Sequence, residues 1–149
     1  MKNLLFILLF IPFIGLGQNI MMPVFANGNN QERVNYWENG QKLSEVKYFN
    51  EKRDGSFKYW YKTGQLMSSG FYKNGKMYGP FISYYENGQI ESHGAFYHTK
   101  SGLYSRKDGI WKYCHENGQL ERESIIQDGV EELKFYDKNG DLNFKGNGC

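Results

Sequence analysis

The side chains that could do chemistry are few and scattered through a chain of 149 residues. His93 and His98 lie five residues apart, and Cys114 adjoins His115. Neighbouring residues on a strand point to opposite faces, so Cys114 and His115 cannot easily share one metal ion. Zinc requires several such ligands to converge. The sequence therefore predicts no metal site and no bound cofactor.

A nucleophilic or hydrolytic centre is not predicted either. Cysteine catalysis needs a histidine and a third, orienting group beside the thiol, whereas Cys114 occupies a position that is aromatic in parallel segments of the chain. We interpret Cys114 as a small core residue. Glu38, Glu86 and Glu116 each stand two residues before a glycine, which is typical of solvated residues beside turns and not of a glycosidase carboxylate pair. No phosphate-binding glycine-rich loop is present, and we predict that the protein is not an enzyme.

The elements that would position any site repeat along the chain. A glycine that follows Asn or Thr recurs with spacings of 24, 24, 30 and 22 residues, which indicates a repeat architecture. Asn-Gly between aromatic or aliphatic runs favours a β-hairpin with a type I′ turn, in which both central residues have positive φ. Thr63 leaves the type of the second turn open. The predicted turn residues are Asn39, Gly40, Gly64, Asn87, Gly88, Asn117, Gly118, Asn139 and Gly140.

Each hairpin also carries large apolar residues at fixed distances from its turn glycine. We predict that three such positions form the core in rows across strands. They are, seven residues before the glycine, Phe57, Phe81, Trp111 and Leu133; four before it, Tyr36, Trp60, Tyr84, Cys114 and Tyr136; two after it, Leu66, Ile90, Leu120 and Leu142. The spacing departs from strict alternation, which predicts a bulge or a sheet buried partly on both faces. The predicted fold class is all-β, an elongated single-domain array of about five antiparallel hairpins.

The first seventeen residues differ from the rest. A lysine, an apolar run and small residues before Gln18 predict a signal peptide over residues 1–17 that is cleaved after Gly17. The run is shorter than the roughly 20 apolar residues that span a bilayer, and no cysteine follows it to accept a lipid anchor. We therefore expect an exported protein, periplasmic or secreted, with a linker over 18–34 and a repeat domain over 35–149. Whether Cys114 and Cys149 pair in an oxidising compartment is left open.

One interval between repeats is longer than the others and contains an insertion. Between Gly94 and Gly109 the chain has six residues more than between Gly70 and Gly79. Loops of repeat arrays often carry the binding function. Aromatic residues outside the packed rows, such as Tyr61 and Tyr85, are predicted to be exposed and are further candidates. The candidate partner contacts are Tyr61, Tyr85, His98, Tyr104, Arg106 and Lys107.

The recurring turn resembles the repeat of bacterial MORN-repeat variant proteins, a group often labelled antitoxin-like. The matching stretches are YWENGQKL (36–43), WYKTGQL (60–66), YYENGQI (84–90), CHENGQL (114–120) and YDKNGDL (136–142). The resemblance covers about Asn35 to Gly146, and departures in the first and last copies suggest terminal caps. It implies a repeat sheet without an active site that serves as an interaction or scaffold surface. An exported chain fits poorly with an antitoxin for a cytoplasmic toxin.

Three functions are compatible with the sequence. Protein interaction or scaffolding is favoured. The alternatives are binding of an envelope carbohydrate or other wall ligand through aromatic side chains, and association with a phospholipid surface. The net charge of +2 gives no support to a nucleic-acid partner and little to an anionic membrane. Open sheet edges leave self-association as a further option.

Overall fold

The computed structural model describes residues 30–99, 101–128 and 130–147, and in this part of the chain it shows one antiparallel sheet of eleven strands. The all-β prediction is thereby confirmed. Strands pair in chain order, except that β5 pairs only with β4. The strands are β1 Asn30–Tyr36, β2 Lys42–Phe49, β3 Lys52–Trp60, β4 Leu66–Lys73, β5 Lys76–Met77, β6 Gly79–Tyr84, β7 Ile90–His98, β8 Ser105–Cys114, β9 Leu120–Gln127, β10 Val130–Tyr136 and β11 Leu142–Asn147.

The described residues begin inside the segment that the sequence assigned to a linker. Asn30 pairs with Phe49, and the ladder continues to Asn35 and Ser44. The first hairpin thus starts before residue 35, because β1 supplies the partner strand for β2. The signal peptide and Cys149 lie outside the described residues, so cleavage after Gly17 and pairing of Cys114 with Cys149 stay predictions.

The repeated turns share one geometry, which is not the predicted type I′ turn. In the second hairpin, the Gly64 N–H donates to the Tyr61 carbonyl at 2.9 Å, and the Tyr61 N–H donates to the Gln65 carbonyl at 2.9 Å. The loop therefore has three residues, and the one with positive φ is Gly64, at 90°. This pattern is a type I turn followed by a left-handed glycine. Thr63 replaces asparagine here without strain, because its position does not require positive φ.

Successive residues with positive φ occur at the opposite end of the hairpins. Asn50 and Glu51, with φ of 47° and 62°, connect β2 to β3, and Asn74 and Gly75, with 51° and 83°, connect β4 to β5. These two-residue loops have the φ pattern of type I′ turns. The prediction of positive φ was therefore wrong for Asn39, Asn87, Asn117 and Asn139.

The core lies on one face of the sheet, which we call the aromatic face and define by Val46, Phe57, Phe81 and Trp111. Large and small residues alternate across its neighbouring strands. The cross-strand pairs are Val46 with Phe57, Phe57 with Gly70, Phe81 with Gly94, and Trp111 with Ser124. The ring of Phe81 lies 6.5 Å from that of Phe57 and 5.7 Å from that of Trp111. A single-layer sheet thus buries its aromatic rings against each other and against small neighbours.

The predicted core positions are only partly right. Phe57 and Trp111, seven residues before a turn glycine, are 2% and 1% exposed. By contrast, Tyr36 and Leu142 beside the turns are 48% and 56% exposed. A shift in register separates the turn-flanking residues from the core rows, as between Ser83 and Tyr84. Residues seven and four before the glycine are three positions apart, so the alternation of the strand already places them on opposite faces. The bulge does the same for the residue two after the glycine, because the next residue, such as Glu91, has no cross-strand partner.

Candidate functional site

An aromatic residue directly before each of the first three turns ties its hairpin to the next one. The bonds run from Trp37 Nε1 to the Trp60 carbonyl at 3.0 Å, from the Tyr61 hydroxyl to the Tyr84 carbonyl at 2.8 Å, and from the Tyr85 hydroxyl to the Cys114 carbonyl at 2.7 Å. We call this series the turn ladder. Tyr61 and Tyr85 are half-buried, so the prediction that they are exposed aromatics is wrong. Their hydroxyls join neighbouring repeats.

The amide side chains of the turns extend the turn ladder. Asn39 Nδ2 donates to the Lys62 carbonyl and Asn87 Nδ2 to the Glu116 carbonyl, both at 2.8 Å. The glutamines after the first three turns, Gln41, Gln65 and Gln89, each lie against the glycine of the next turn. A Cβ atom added to Gly64 would lie 3.0 Å from the Gln41 side chain. The corresponding distances are 3.5 Å from Gly88 to Gln65 and 2.7 Å from Gly118 to Gln89. The recurring Asn-Gly-Gln therefore has a structural explanation and is not itself a site.

The insertion packs against β5, the short strand Lys76–Met77. The Ser105 hydroxyl donates to the Met77 carbonyl at 2.6 Å, and Lys76 Nζ donates to the Gly102 carbonyl. The His98 ring lies on the Tyr78 ring, with centroids 5.0 Å apart. His98 Nε2 is buried without a hydrogen-bond partner among the described residues. His98 therefore acts in packing, between two successive repeats.

The three remaining predicted contacts separate into two groups. Tyr104 is 69% exposed, and Arg106 lies beside it in the chain with a loose ion pair to Asp108 at 4.0 Å. Lys107 instead turns back onto the sheet, where its Nζ lies 4.2 Å from the Trp111 ring centroid and donates to the Tyr113 hydroxyl at 2.7 Å. The six predicted contacts therefore do not form one site. Of the six, Tyr104 and Arg106 are the exposed pair.

A groove that the sequence did not reveal lies on the face opposite the aromatic face. We call it the apolar groove; its volume is about 600 Å³, and its walls include Phe71, Pro80, Ile82, Ile90 and His93. Ile82 pairs with both Ser69 and His93, which places these three side chains on the same face. Phe71 is 48% exposed although it lies in a central strand. The sequence signal for this groove was Phe71. It stands between Gly70 and Tyr72, which belong to the aromatic face, so the alternation of side chains along a strand places the Phe71 ring on the opposite face.

A polar row crosses the aromatic face beside the core. Its members are successive cross-strand partners: Ser44, Tyr59, Ser68, Ser83, Ser92, Tyr113 and Arg122. The Ser83 and Ser92 hydroxyls are buried and lie 2.8 Å apart. The serines leave a depression of about 380 Å³, lined by Ser68, Phe81, Ser83, Ser92 and Tyr113, with Met67 and Glu91 also in its lining. We call it the serine trough. Ser44, Ser68 and Ser92 each stand four residues after a turn glycine, a signal that could have identified the row.

The groups considered for catalysis do not come together in the described chain. Cys114 is half-buried, and burial raises the pKa of its thiol, which disfavours the reactive thiolate. Its carbonyl belongs to the turn ladder. Among the described residues, no three His, Cys, Asp or Glu side chains are placed to hold a metal ion. The described part of the chain also contains no helix with the length and hydropathy needed to cross a membrane.

Comparisons with known proteins identify the middle hairpins. Residues 53–74, 77–98 and 107–128 match the family model of the MORN repeat variant. They correspond to the hairpins β3–β4, β6–β7 and β8–β9, so three hairpins of the chain are similar to this repeat. No curated protein matches the chain. A chain in the crystal structure of accessory secretory proteins 1, 2 and 3 in Streptococcus pneumoniae matches 82% of this chain at 12% identity with a TM-score of 0.33, and the match spans 20% of that chain.

Proposed function

We propose that this MORN-repeat chain is an exported, non-catalytic interaction module that binds a protein partner in its apolar groove. MORN repeats generally mediate interactions with proteins or membranes. The observation that carries the proposal is Phe71, a large ring left 48% exposed in the middle of the sheet. Exposed apolar surface of this kind, next to Pro80 and Ile82, is typical of a surface that a partner covers.

The charge at the groove indicates which protein segment fits it. Lys58 is exposed and contributes to the groove lining. Its cross-strand neighbour Glu45 is engaged by Lys42, with Nζ and Oε2 2.8 Å apart. Lys58 is therefore available to a carboxylate from outside. The expected partner segment supplies apolar side chains to Phe71 and Ile82 and an acidic residue to Lys58.

The turn ladder supports an interaction role over a catalytic one. The amides of Asn39 and Asn87 and the hydroxyls of Tyr61 and Tyr85 are engaged by backbone carbonyls of the next repeat. These bonds hold successive hairpins in a fixed register, which preserves the shape of the groove. A rigid, preorganised surface loses less conformational entropy on binding.

Site-specific photo-crosslinking in the producing cells tests the groove. A crosslinking residue in place of Phe71 should capture one protein, and the same residue in place of Val130, which is 63% exposed on β10, should not. Ile82→Asp should abolish stoichiometric co-purification of that protein, and Lys58→Glu should weaken it. If the protein still co-purifies with Ile82→Asp but is lost with Tyr104→Ala, the partner binds at the insertion, and the proposal for the groove is refuted.

Export is tested separately by the N-terminus of the mature chain. We expect mass spectrometry of the protein from the envelope or medium to show Gln18 as the first residue. Recovery of the chain only from the cytoplasm, with residues 1–17 intact, would refute export without affecting the groove.

A further inference from the structure

We propose that the serine trough is a binding site for a sugar that carries a carboxylate, with the sugar ring over the serines and the carboxylate between Arg122 and Lys107. The site lies on the aromatic face. The apolar groove opens on the opposite face, and Phe81 contributes to the lining of both. The sugar proposed here is a different ligand from the protein partner proposed for the groove.

The floor of the trough is built from small polar residues on consecutive strands. Ser68, Ser83, Ser92 and Tyr113 are direct neighbours across β4, β6, β7 and β8. Three strand spacings separate the first from the last, which amounts to about 14 Å. Because side chains of cross-strand partners point to the same side, the hydroxyls face one common depression. This length has room for a short oligosaccharide.

The trough combines serine hydroxyls with a larger apolar surface, and a sugar ring presents both hydroxyls and apolar C–H groups. Each serine hydroxyl can donate and accept a hydrogen bond, and a sugar presents hydroxyls of the same kind. The rings of Phe81 and Tyr113 also line the trough. They offer apolar surface to the C–H groups of a sugar. Ser83 and Ser92 are 8% and 7% exposed, so their hydroxyls lie at the bottom of the depression.

Two cations flank Tyr113 at one end of the trough. The Arg122 guanidinium carbon lies 3.9 Å from the centroid of the Tyr113 ring, and Lys107 Nζ lies 2.7 Å from its hydroxyl. Arg122 also donates to the Ser124 hydroxyl at 3.3 Å. Neither cation forms an ion pair with a carboxylate of the described chain, whereas Lys112 pairs with Glu123 at 3.2 Å. A carboxylate from a ligand would complete the hydrogen bonding of Arg122.

An acidic residue in the trough determines the orientation of the ligand. Glu91 contributes to the trough lining, and it belongs to β7, two strands away from Arg122. A carboxylate of the ligand is repelled by Glu91 and attracted by Arg122 and Lys107. The ligand is therefore expected to bind in one orientation, with its acidic group over Tyr113.

Calorimetric titration with a glucuronic-acid oligosaccharide tests the assignment. The comparison is the same oligosaccharide with its carboxylates reduced to alcohols. We expect the acidic form to bind about tenfold tighter, since hydrogen bonds to charged groups contribute more than neutral ones. Arg122→Gln should weaken binding of the acidic form more than that of the reduced form, so that the two affinities become about equal. Equal affinities of the wild-type protein for the two forms, or failure to bind either, would overturn the proposal.

Matched variants separate the trough from the rest of the sheet. Ser68→Val fills the trough and should abolish binding of both oligosaccharides, whereas Ser69→Val changes the next residue, on the opposite face, and should not. Thermal unfolding must show that both variants are folded. If Ser68→Val does not fold, Ser92→Val serves as the second trough variant. Equal loss in Ser68→Val and Ser69→Val, or equally tight binding of polyglutamate, would rule out a sugar site in the trough.

Discussion

The Tyr85 hydroxyl donates a hydrogen bond of 2.7 Å to the carbonyl of Cys114, which lies 29 residues further along the chain. The equivalent bond from Tyr61 to Tyr84 spans 23 residues. The additional six residues belong to the insertion, which extends the opposite end of the hairpin. The contact between successive turns is thus preserved, because the two ends of a strand can vary in length independently. This relationship lets the array carry a different loop without losing its repeat-to-repeat register.

Removing one hydroxyl of the turn ladder should destabilise the protein. Tyr85→Phe deletes the donor to the half-buried Cys114 carbonyl and should lower the free energy of unfolding by about 1 kcal/mol. Tyr104→Phe removes a hydroxyl from a side chain that is 69% exposed and is the matched control. Urea denaturation measures both. An unfolding midpoint of Tyr85→Phe that coincides with that of Tyr104→Phe would contradict a stabilising ladder.

Adding one methyl group at Gly94 should disturb the core. A Cβ atom there would collide with the Trp111 ring, which is 1% exposed and cannot move aside. Overpacking of this kind costs about 1–3 kcal/mol, so Gly94→Ala should lower the unfolding midpoint. Ser69→Thr, which also adds a methyl group but on the opposite face, should have a much smaller effect. If both variants unfold like the wild type, the close approach of Trp111 to Gly94 is wrong.

The turn geometry predicts different tolerance at two adjacent positions. Gly64 has a φ of 90°, so Gly64→Ala should cost about 1–2 kcal/mol, the usual penalty for a left-handed L-residue. Thr63 lies in a region of negative φ, and Thr63→Asn should change stability by no more than about 0.5 kcal/mol. Both are measured by thermal unfolding. A type I′ turn would instead favour Thr63→Asn strongly, and such an increase in stability would contradict the observed geometry.

Asp54, on β3, should make the stability of the protein depend on pH. The Asp54 carboxylate accepts hydrogen bonds from the Asn74 backbone N–H at 3.1 Å, in the loop between β4 and β5, and from Lys73 Nζ at 3.2 Å. The bond from Asn74, followed by that from Lys73, holds the pKa of Asp54 below its ordinary value. A carboxylate with a lowered pKa in the folded state stabilises the protein above its unfolded pKa of about 3.9. This contribution is lost as the pH falls through the folded pKa.

Asp54→Asn therefore should unfold more readily than the wild type at pH 7, and the difference should shrink as the solution is made more acidic than about pH 4. Denaturant unfolding across this range is the measurement. Asp108→Asn is the matched control, because its ion pair with Arg106 is long, 4.0 Å, and only partly shielded from solvent. If the free energy of unfolding of Asp54→Asn differs from that of the wild type by the same amount at every pH, the charge of the Asp54 carboxylate does not contribute to stability.

The candidate site was less predictable than the fold. Tyr61 and Tyr85 were expected to be exposed because they stand next to the core positions in the chain. Their burial depends on carbonyls of the following repeat, 23 and 29 residues away, and no local pattern reports such a contact. Lys107 was assigned to the surface of the insertion, whereas it belongs to β8 and contacts Trp111 and Tyr113 of the same strand.

The sequence by itself determined the number and position of the repeated turns, because the last position of each three-residue loop has a left-handed φ and is occupied by glycine, which adopts it without a steric penalty. It also determined the all-β class, since glycines at such short intervals leave no helix of useful length. Only the tertiary structure decided which face each side chain joins. A bulge on β7 leaves Glu91 without a cross-strand partner between Ile90 and Ser92, so strand register decides which side chains join the aromatic face, the serine trough and the apolar groove. Register is a relation between residues distant in the chain, and it is fixed only when the hairpins pack together.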